Sequence, residues 1–255
     1  MFDVVEKTTG KRFKVYAVEG ENFLIWTNGG GFALVSMCQF APVQGGAVED
    51  VKDVCTLRKS QYESADLDTL LYRMASGNIP VETGDTISMR LTDGTEVDLV
   101  VTDHDDDTIR FESRDCLGIN TSADNLDSYL DKVYSLLPEA LKKRIIETDR
   151  KHIDEDGDSY TEHCKLFVPA ASEIFPPDEC YGDRGVYQQL EWYRDVHHRV
   201  RAEHRGGDSH WYWTSSPIAS TSTYFCCVNT NGTANLNDAS NANGLAPFGC
   251  IISKI

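Results

Sequence analysis

Trp211-Tyr212-Trp213-Thr214-Ser215-Ser216-Pro217 opens the stretch whose reading decides the fold. It runs on through Tyr224-Phe225-Cys226-Cys227-Val228-Asn229-Thr230-Asn231-Gly232, an asparagine-rich run from Asn235 to Asn243, and Gly244-Leu245-Ala246-Pro247. The aromatic heptapeptide has strand character, as do Tyr224 to Val228 and Gly249 to Ile252. Between them, Asn229 to Asn243 carry too much asparagine for a stable helix or a regular strand. Apolar strands flank this run on both sides, so it is expected to be ordered and at the surface. From Gly206 to Ser253 there is no Lys or Arg, and the only acids are Asp208 and Asp238. Contacts made by such a surface are hydrogen bonds and aromatic packing rather than ion pairs.

The order of these motifs resembles the variable proteins of diversity-generating retroelements, a C-type-lectin-fold domain common in gut bacteria and their phages. In that family an aromatic strand ending in Ser-Pro is followed by a Val-Asn-x-x-Gly turn, matched here by Val228 to Gly232. An asparagine-rich run and a closing Gly-Val-Arg-Pro come next. The closing motif here is Gly244-Leu245-Ala246-Pro247, with Ala246 in place of the arginine. The likeness extends more loosely through Lys165-Leu166-Phe167 back to about Gly84. It implies an α+β, C-type-lectin-like (formylglycine-generating-enzyme-like) domain over residues 84–255, with a variable region over about 213–250. It also implies a ligand-binding protein rather than an enzyme, whose C-terminal surface is diversified and recognises a protein or glycan on a cell surface, in a phage- or surface-associated setting.

The genetic code offers an independent check. Retroelement copying errs at adenines, so AAY codons become NNY, which cannot encode Lys, Glu, Gln, Met or Trp. None of these five occurs from Ile218 to Asn243. A diversified site needs a scaffold indifferent to its variable side chains, which loops on a rigid framework provide. Trp211, Trp213, Val228, Ala234, Ala239, Leu245 and Pro247 are assigned to the frame. The variable, ligand-facing positions are Ile218, Ser220, Ser222, Tyr224, Cys226, Asn229, Asn231, Asn235, Leu236, Asn237, Asp238, Ser240 and Asn241. Small polar side chains with a few aromatics also compose antibody paratopes. The alternative readings are a structural virion or surface module without a variable site, and an enzyme related to the formylglycine-generating family. The latter depends on active-site cysteines, for which only Cys226, Cys227 and Cys250 are candidates.

Upstream, residues 1–43 resemble a small SH3-like β domain, with a plain β-meander as the alternative reading. Strands are expected around Arg12 to Val18, Asn22 to Trp26 and Phe32 to Val35, with a turn at Thr27 to Gly31. Gln44-Gly45-Gly46 reads as a linker and residues 44–83 as a helical connector, with a helical pattern from Ala47 to about Ser76 that also suits a core helix of the second domain. Past Gly84 a hairpin turns at Asp93-Gly94, and a third strand runs over Thr108 to Ser113. Helices are expected around Leu126 to Leu137, from Pro138 through Ile146, over Ala170 to Phe175, and from Tyr187 to about Glu203.

The net charge of -17 argues against general nucleic-acid binding, because a phosphate backbone would be repelled. No apolar run reaches the roughly 20 residues of a membrane span, so no membrane partner is expected. The N-terminus Met1-Phe2-Asp3-Val4-Val5-Glu6 lacks a signal-peptide pattern, which suggests a protein made in the cytoplasm and, in the phage setting, carried on the virion. A homo-oligomer is compatible with these readings. The eight cysteines contain no CxxC pair and read as free thiols, mostly buried. His197, His198, His204 and His210 lack a zinc spacing. Asp154-Glu155-Asp156-Gly157-Asp158 departs from an EF-hand in its glycine and in Lys165 at the twelfth loop position. The acids from Asp103 to Asp107 read as a second solvated loop. No cofactor or metal is expected, and no GxSxG, HExxH or P-loop occurs.

Overall fold

The protein is described from a computed structural model, over residues 2–7, 11–19, 22–27, 31–36, 40–42, 67–153, 158–181, 186–218 and 221–255. The chain divides into two compact units, residues 1–65 and 66–255. The linker at Gln44 to Gly46, the part before Leu67 of the helical pattern expected from Ala47 to about Ser76, and Asp154 to Gly157 lie outside the described residues.

In the first unit, strands β1 (Phe2–Glu6), β2 (Arg12–Glu19), β3 (Asn22–Thr27), β4 (Gly31–Ser36) and β5 (Phe40–Pro42) form one antiparallel sheet in the order β4-β3-β2-β1-β5. Period-2 alternation gathers Val4, Val15, Phe23, Ile25 and Phe40 into a core, with Phe13 and Val35 packed on it. The Phe13 and Phe40 rings meet edge to face at 5.9 Å. Among the described residues β4 and β5 are the edges of this sheet.

The second unit begins with helix α1 (Leu67–Ala75), which buries Leu70, Leu71, Met74 and Ala75. Its central sheet holds β6 (Thr86–Arg90), β7 (Glu96–His104), β8 (Thr108–Ser113), β11 (Leu166–Phe167) and β17 (Gly249–Ser253), in the order β11-β17-β8-β7-β6. Around it lie α2 (Leu126–Leu136), α3 (Glu139–Lys142), the hairpin β9 (Thr148–Ile153) and β10 (Ser159–Cys164), and α4 (Ala171–Ile174). The short pair β12 (Arg201–Ala202) and β13 (Ser209–His210) precedes a three-stranded antiparallel sheet of β14 (Tyr212–Ile218), β15 (Thr221–Val228) and β16 (Ala234–Asp238). No described helix is long and apolar enough to cross a membrane.

This architecture corrects the α+β, C-type-lectin-like assignment. Among the described residues strands predominate, arranged in several antiparallel sheets, and the helices are few and short. Three segments show why. The helix expected from Tyr187 to Glu203 is two 3-10 turns, Glu191–Arg194 and Val196–Arg199, separated by Asp195 in an extended conformation. The Asp195 carboxylate accepts the His197 N–H at 2.9 Å, a local bond that competes with helix propagation. The helix expected from Pro138 stops at Lys142, because Ile145 bridges Ile252 and Thr148 enters β9. Within the asparagine-rich run, Ala234–Asp238 is a strand despite its low propensity, because β15 supplies its ladder.

Candidate functional site

The β14–β15–β16 sheet is built on its aromatic entrance. Trp213 is fully buried. Its Nε1 donates to the Thr121 carbonyl at 3.0 Å, and its backbone N–H donates to the Leu245 carbonyl at 2.8 Å. Trp211 meets it edge to face at 5.0 Å. Gly244 threads between these two rings. A Cβ there would lie 2.2 Å from Trp213 Nε1 and 2.6 Å from Trp211 Cη2, so no larger residue fits without movement. The Gly244 carbonyl in turn accepts from Thr121 N–H at 2.8 Å. The closing motif is therefore a clamp: Leu245 and Pro247 are buried, and Tyr129 Oη donates to the Ala246 carbonyl at 2.5 Å. Further along β14, the pairing register with β15 shifts between Trp213 and Pro217. Pro217 has no N–H to offer the ladder, which accounts for an irregularity at that point.

Beyond the clamp the sheet turns outward. Val228 is fully buried, Ala239 nearly so, and Ala234 packs against the same core cluster from its edge. Tyr224 (43% exposed) and Leu236 (39% exposed) stand out at the surface, together with Asn231, Asn235, Asp238 and Ser240. Ile218, Asn229, Asn237 and Asn241 are half-buried. Ser220 and the side chain of Ser222 lie outside the described residues. Cys226 is a correction: its side chain is fully buried in the cluster containing Tyr193, Tyr212 and Val228, and does not face a ligand. Alternation along β15 sends it inward, and Cys227 on the other face is buried too, since both faces of the strand are covered at that point.

The polar tips hold one another. Asn235 Nδ2 donates to Asn229 Oδ1 at 3.1 Å, and Asn229 Nδ2 donates to Thr233 Oγ1 at 3.1 Å. Asn231 Oδ1 accepts from Thr233 Oγ1 at 2.7 Å across the turn. Gly232 sits at φ +82°, where a Cβ would lie 2.7 Å from the Val196 carbonyl oxygen. Asp238 caps its own turn, accepting from Ser240 N–H and Oγ. These hydrogen bonds hold the Asp238 carboxyl below its usual range. Asparagine here supplies turn chemistry as well as surface.

The six described cysteines are free thiols, five of them buried and Cys164 half-buried. Burial pushes the Cys116, Cys227 and Cys250 thiols up to about 12, and Cys164 up to about 11. A thiol so far above neutral pH supplies almost no thiolate. The Cys116, Cys227 and Cys250 thiols are accordingly expected to react with an aromatic disulfide reagent at pH 8 only as fast as the protein unfolds. Rapid labelling of Cys227 or Cys250 in the native state, read by mass spectrometry, would contradict this.

The other candidate ligands also have local partners. Asp105 Oδ1 accepts from Asp107 N–H, Thr108 N–H and Thr108 Oγ1, bonds that lower its carboxyl and close the β7–β8 turn. The His198 ring stacks on Trp192 at 3.6 Å, with Nδ1 at 2.8 Å from the Trp192 carbonyl. Among the described residues no three His, Cys, Asp or Glu side chains are grouped to hold a metal ion.

Sequence reading missed a buried ionic network beneath the sheet. Arg110, Glu112, Arg150, Glu173 and Arg201 are all at most 7% exposed. Glu173 pairs with Arg110 at 2.5 Å and Arg150 at 2.6 Å, and Glu112 pairs with Arg110 and Arg201, each at 2.8 Å. Tyr193 Oη donates to Glu112 and accepts from Arg201. Phe167 lies under both Arg110 and Arg150, at 4.7 and 4.4 Å from its ring centre. Strand alternation cannot reveal this, because Arg110 and Glu112 fall on the polar positions of β8 and read as solvated.

No curated protein and no solved structure matches the chain. A family described as "Domain of unknown function (DUF6273)" matches residues 121–253, from the Thr121 that receives Trp213 to the end of β17. That span holds the clamp, the tip sheet and three members of the ionic network, Arg150, Glu173 and Arg201, and covers more than half the chain. The chain belongs to the family of the domain of unknown function DUF6273.

Proposed function

We propose that the chain is a ligand-binding protein whose tip sheet carries a surface diversified by a retroelement, and that it acts by recognition rather than catalysis. The observation that carries this reading is the separation of roles within β14–β16. Trp213, Val228 and Ala239 are buried to within 2%, whereas Tyr224, Asn231, Asn235, Leu236, Asp238 and Ser240 stand exposed on the same strands and turns. Such a surface changes its chemistry without changing its support. Its ligand is a protein or glycan on a cell surface, met through hydrogen bonds and aromatic contact, since Asp238 is the one charge among the proposed tips. Short side chains lose little rotamer entropy when a partner orders them.

The deciding experiment is to sequence the DNA around the coding region. A near-copy of the segment encoding about Trp213 to Cys250, differing mainly at adenines and lying beside a reverse transcriptase gene, is the expected result. A locus with neither would overturn diversification. At the protein level, alanine at Asn235, Asn237 or Asn241 is expected to move unfolding free energy by no more than about 0.5 kcal/mol. Thermal melts of the three variants check this, and a loss several times larger at any of them would show that the tips are part of the frame.

A further inference from the structure

A cavity of about 350 Å³ opens between the start of α2, the β9–β10 hairpin, β11 and the β14–β15 pair. None of the proposed tip positions lines it, so it is a separate site from the variable surface. Its volume lies at the lower end of the range for small-molecule and side-chain pockets. The floor is apolar: Leu126, Leu166, Phe167 and Val168 are buried, and Pro217 and Phe225 close the side toward the tip sheet. The rim is acidic. Asp124 and Asp127 come from α2 and the turn before it, and Glu162 from β10. No Lys or Arg is among the described residues that line it.

One wall is aromatic. The His152 and Tyr160 rings stack at 5.2 Å and 22°, with Tyr160 itself half exposed. His152 Nε2 lies 3.2 Å from Glu162, so at most one imidazolium faces three carboxylates. Ser215 of β14 also lines the cavity.

We propose that this cavity receives an arginine side chain of a protein ligand. A guanidinium matches each feature in turn. Its methylene stem lies on an apolar floor, its planar face stacks on an aromatic wall, and its five donors serve several carboxylates together. It is also more weakly hydrated than an ammonium, which favours it over lysine in a half-enclosed site.

The test titrates the full-length protein with three probes: the methylamides of acetyl-arginine, acetyl-lysine and acetyl-citrulline, the last a neutral isostere of arginine. The arginine probe is expected to bind with a dissociation constant on the order of 1 mM, as suits one anchored side chain. The citrulline probe should bind about tenfold more weakly and the lysine probe at an intermediate level. Glu162→Gln and Asp127→Asn should each weaken the arginine probe about fivefold, with unchanged melting temperatures. Asn235→Ala, on the tip surface, should leave it unaffected, which separates this site from the diversified one. No saturation by the arginine probe, equal binding of citrulline or lysine, or indifference to both acid substitutions would overturn the proposal.

Discussion

Glu173→Ala is expected to cost on the order of 3–5 kcal/mol of unfolding free energy, one of the two largest single-residue effects expected in the second unit. Glu173 is 1% exposed and bridges two guanidinium groups that are themselves buried. It also accepts the Ala170 N–H at 2.8 Å and so holds the start of α4. Removing the carboxylate leaves Arg150 buried beside Phe167 and Tyr187 without an anion, while Arg110 keeps Glu112. An uncompensated charge in that setting costs far more than the contact it lost. Glu173→Gln keeps the shape and loses the charge, so it should recover only a part of the loss. Urea unfolding midpoints at neutral pH measure both. A shift of a few tenths of a kcal/mol in either variant would show that water reaches the arginines.

The same carboxylate sets an acid limit. Burial alone would raise its pKa, but Arg110 and Arg150, by charge and hydrogen bonds, outweigh burial and hold it well below the ordinary value of 4.5. Its folded value is thus depressed relative to the unfolded chain. The stabilisation is fully present above the unfolded pKa and is lost as pH falls through that value toward the folded one. Wild-type stability should therefore decline below about pH 4.5, and the decline should be shallower in Glu173→Gln.

Trp213→Ala is the second large effect, at about 3–5 kcal/mol, because it empties the most voluminous fully buried side chain and strands the Thr121 carbonyl. Gly244→Ala should be destabilising by about 1–3 kcal/mol for the opposite reason, since its Cβ has no room between Trp211 and Trp213. The two substitutions should not add. With the Trp213 ring gone, the methyl of Gly244→Ala gains space on one side, so it should cost less in the Trp213→Ala background than in the wild type. A double-mutant cycle of unfolding free energies measures the coupling. Strict additivity would mean that Gly244 is constrained by something other than the tryptophan.

Much of the local structure was legible along the chain. Alternating runs marked β2, β3 and β4, Asp93-Gly94 marked the β6–β7 hairpin, and the stripe of Leu126, Tyr129 and Val133 marked α2. These depend on period and turn chemistry, which neighbours in sequence carry by themselves. The aromatic entrance of β14 and the polar character of the tips were legible for the same reason. Cys226 was misassigned because composition alone places a residue in a segment but not on a face of it. The register of β15 against β14 and β16 determines which side chains turn inward.

The sequence by itself determined where β2, β3, β4, β6 and β7 run, where the β6–β7 hairpin turns, and that a charge-poor, asparagine-rich surface lies near the C-terminus. Tertiary structure alone decided that sheets outweigh helices. Asp195 and Ile145 took partners that the helical periodicity around them did not announce. It also decided that Arg110 and Glu112 face inward, because both faces of β8 are covered and their partners Glu173, Arg150 and Arg201 lie far along the chain. Pairings between distant residues leave no periodic trace in either segment. They exist only once the sheet brings β8, α4, β9 and β12 to one place, where each charge becomes tolerable in the presence of the others.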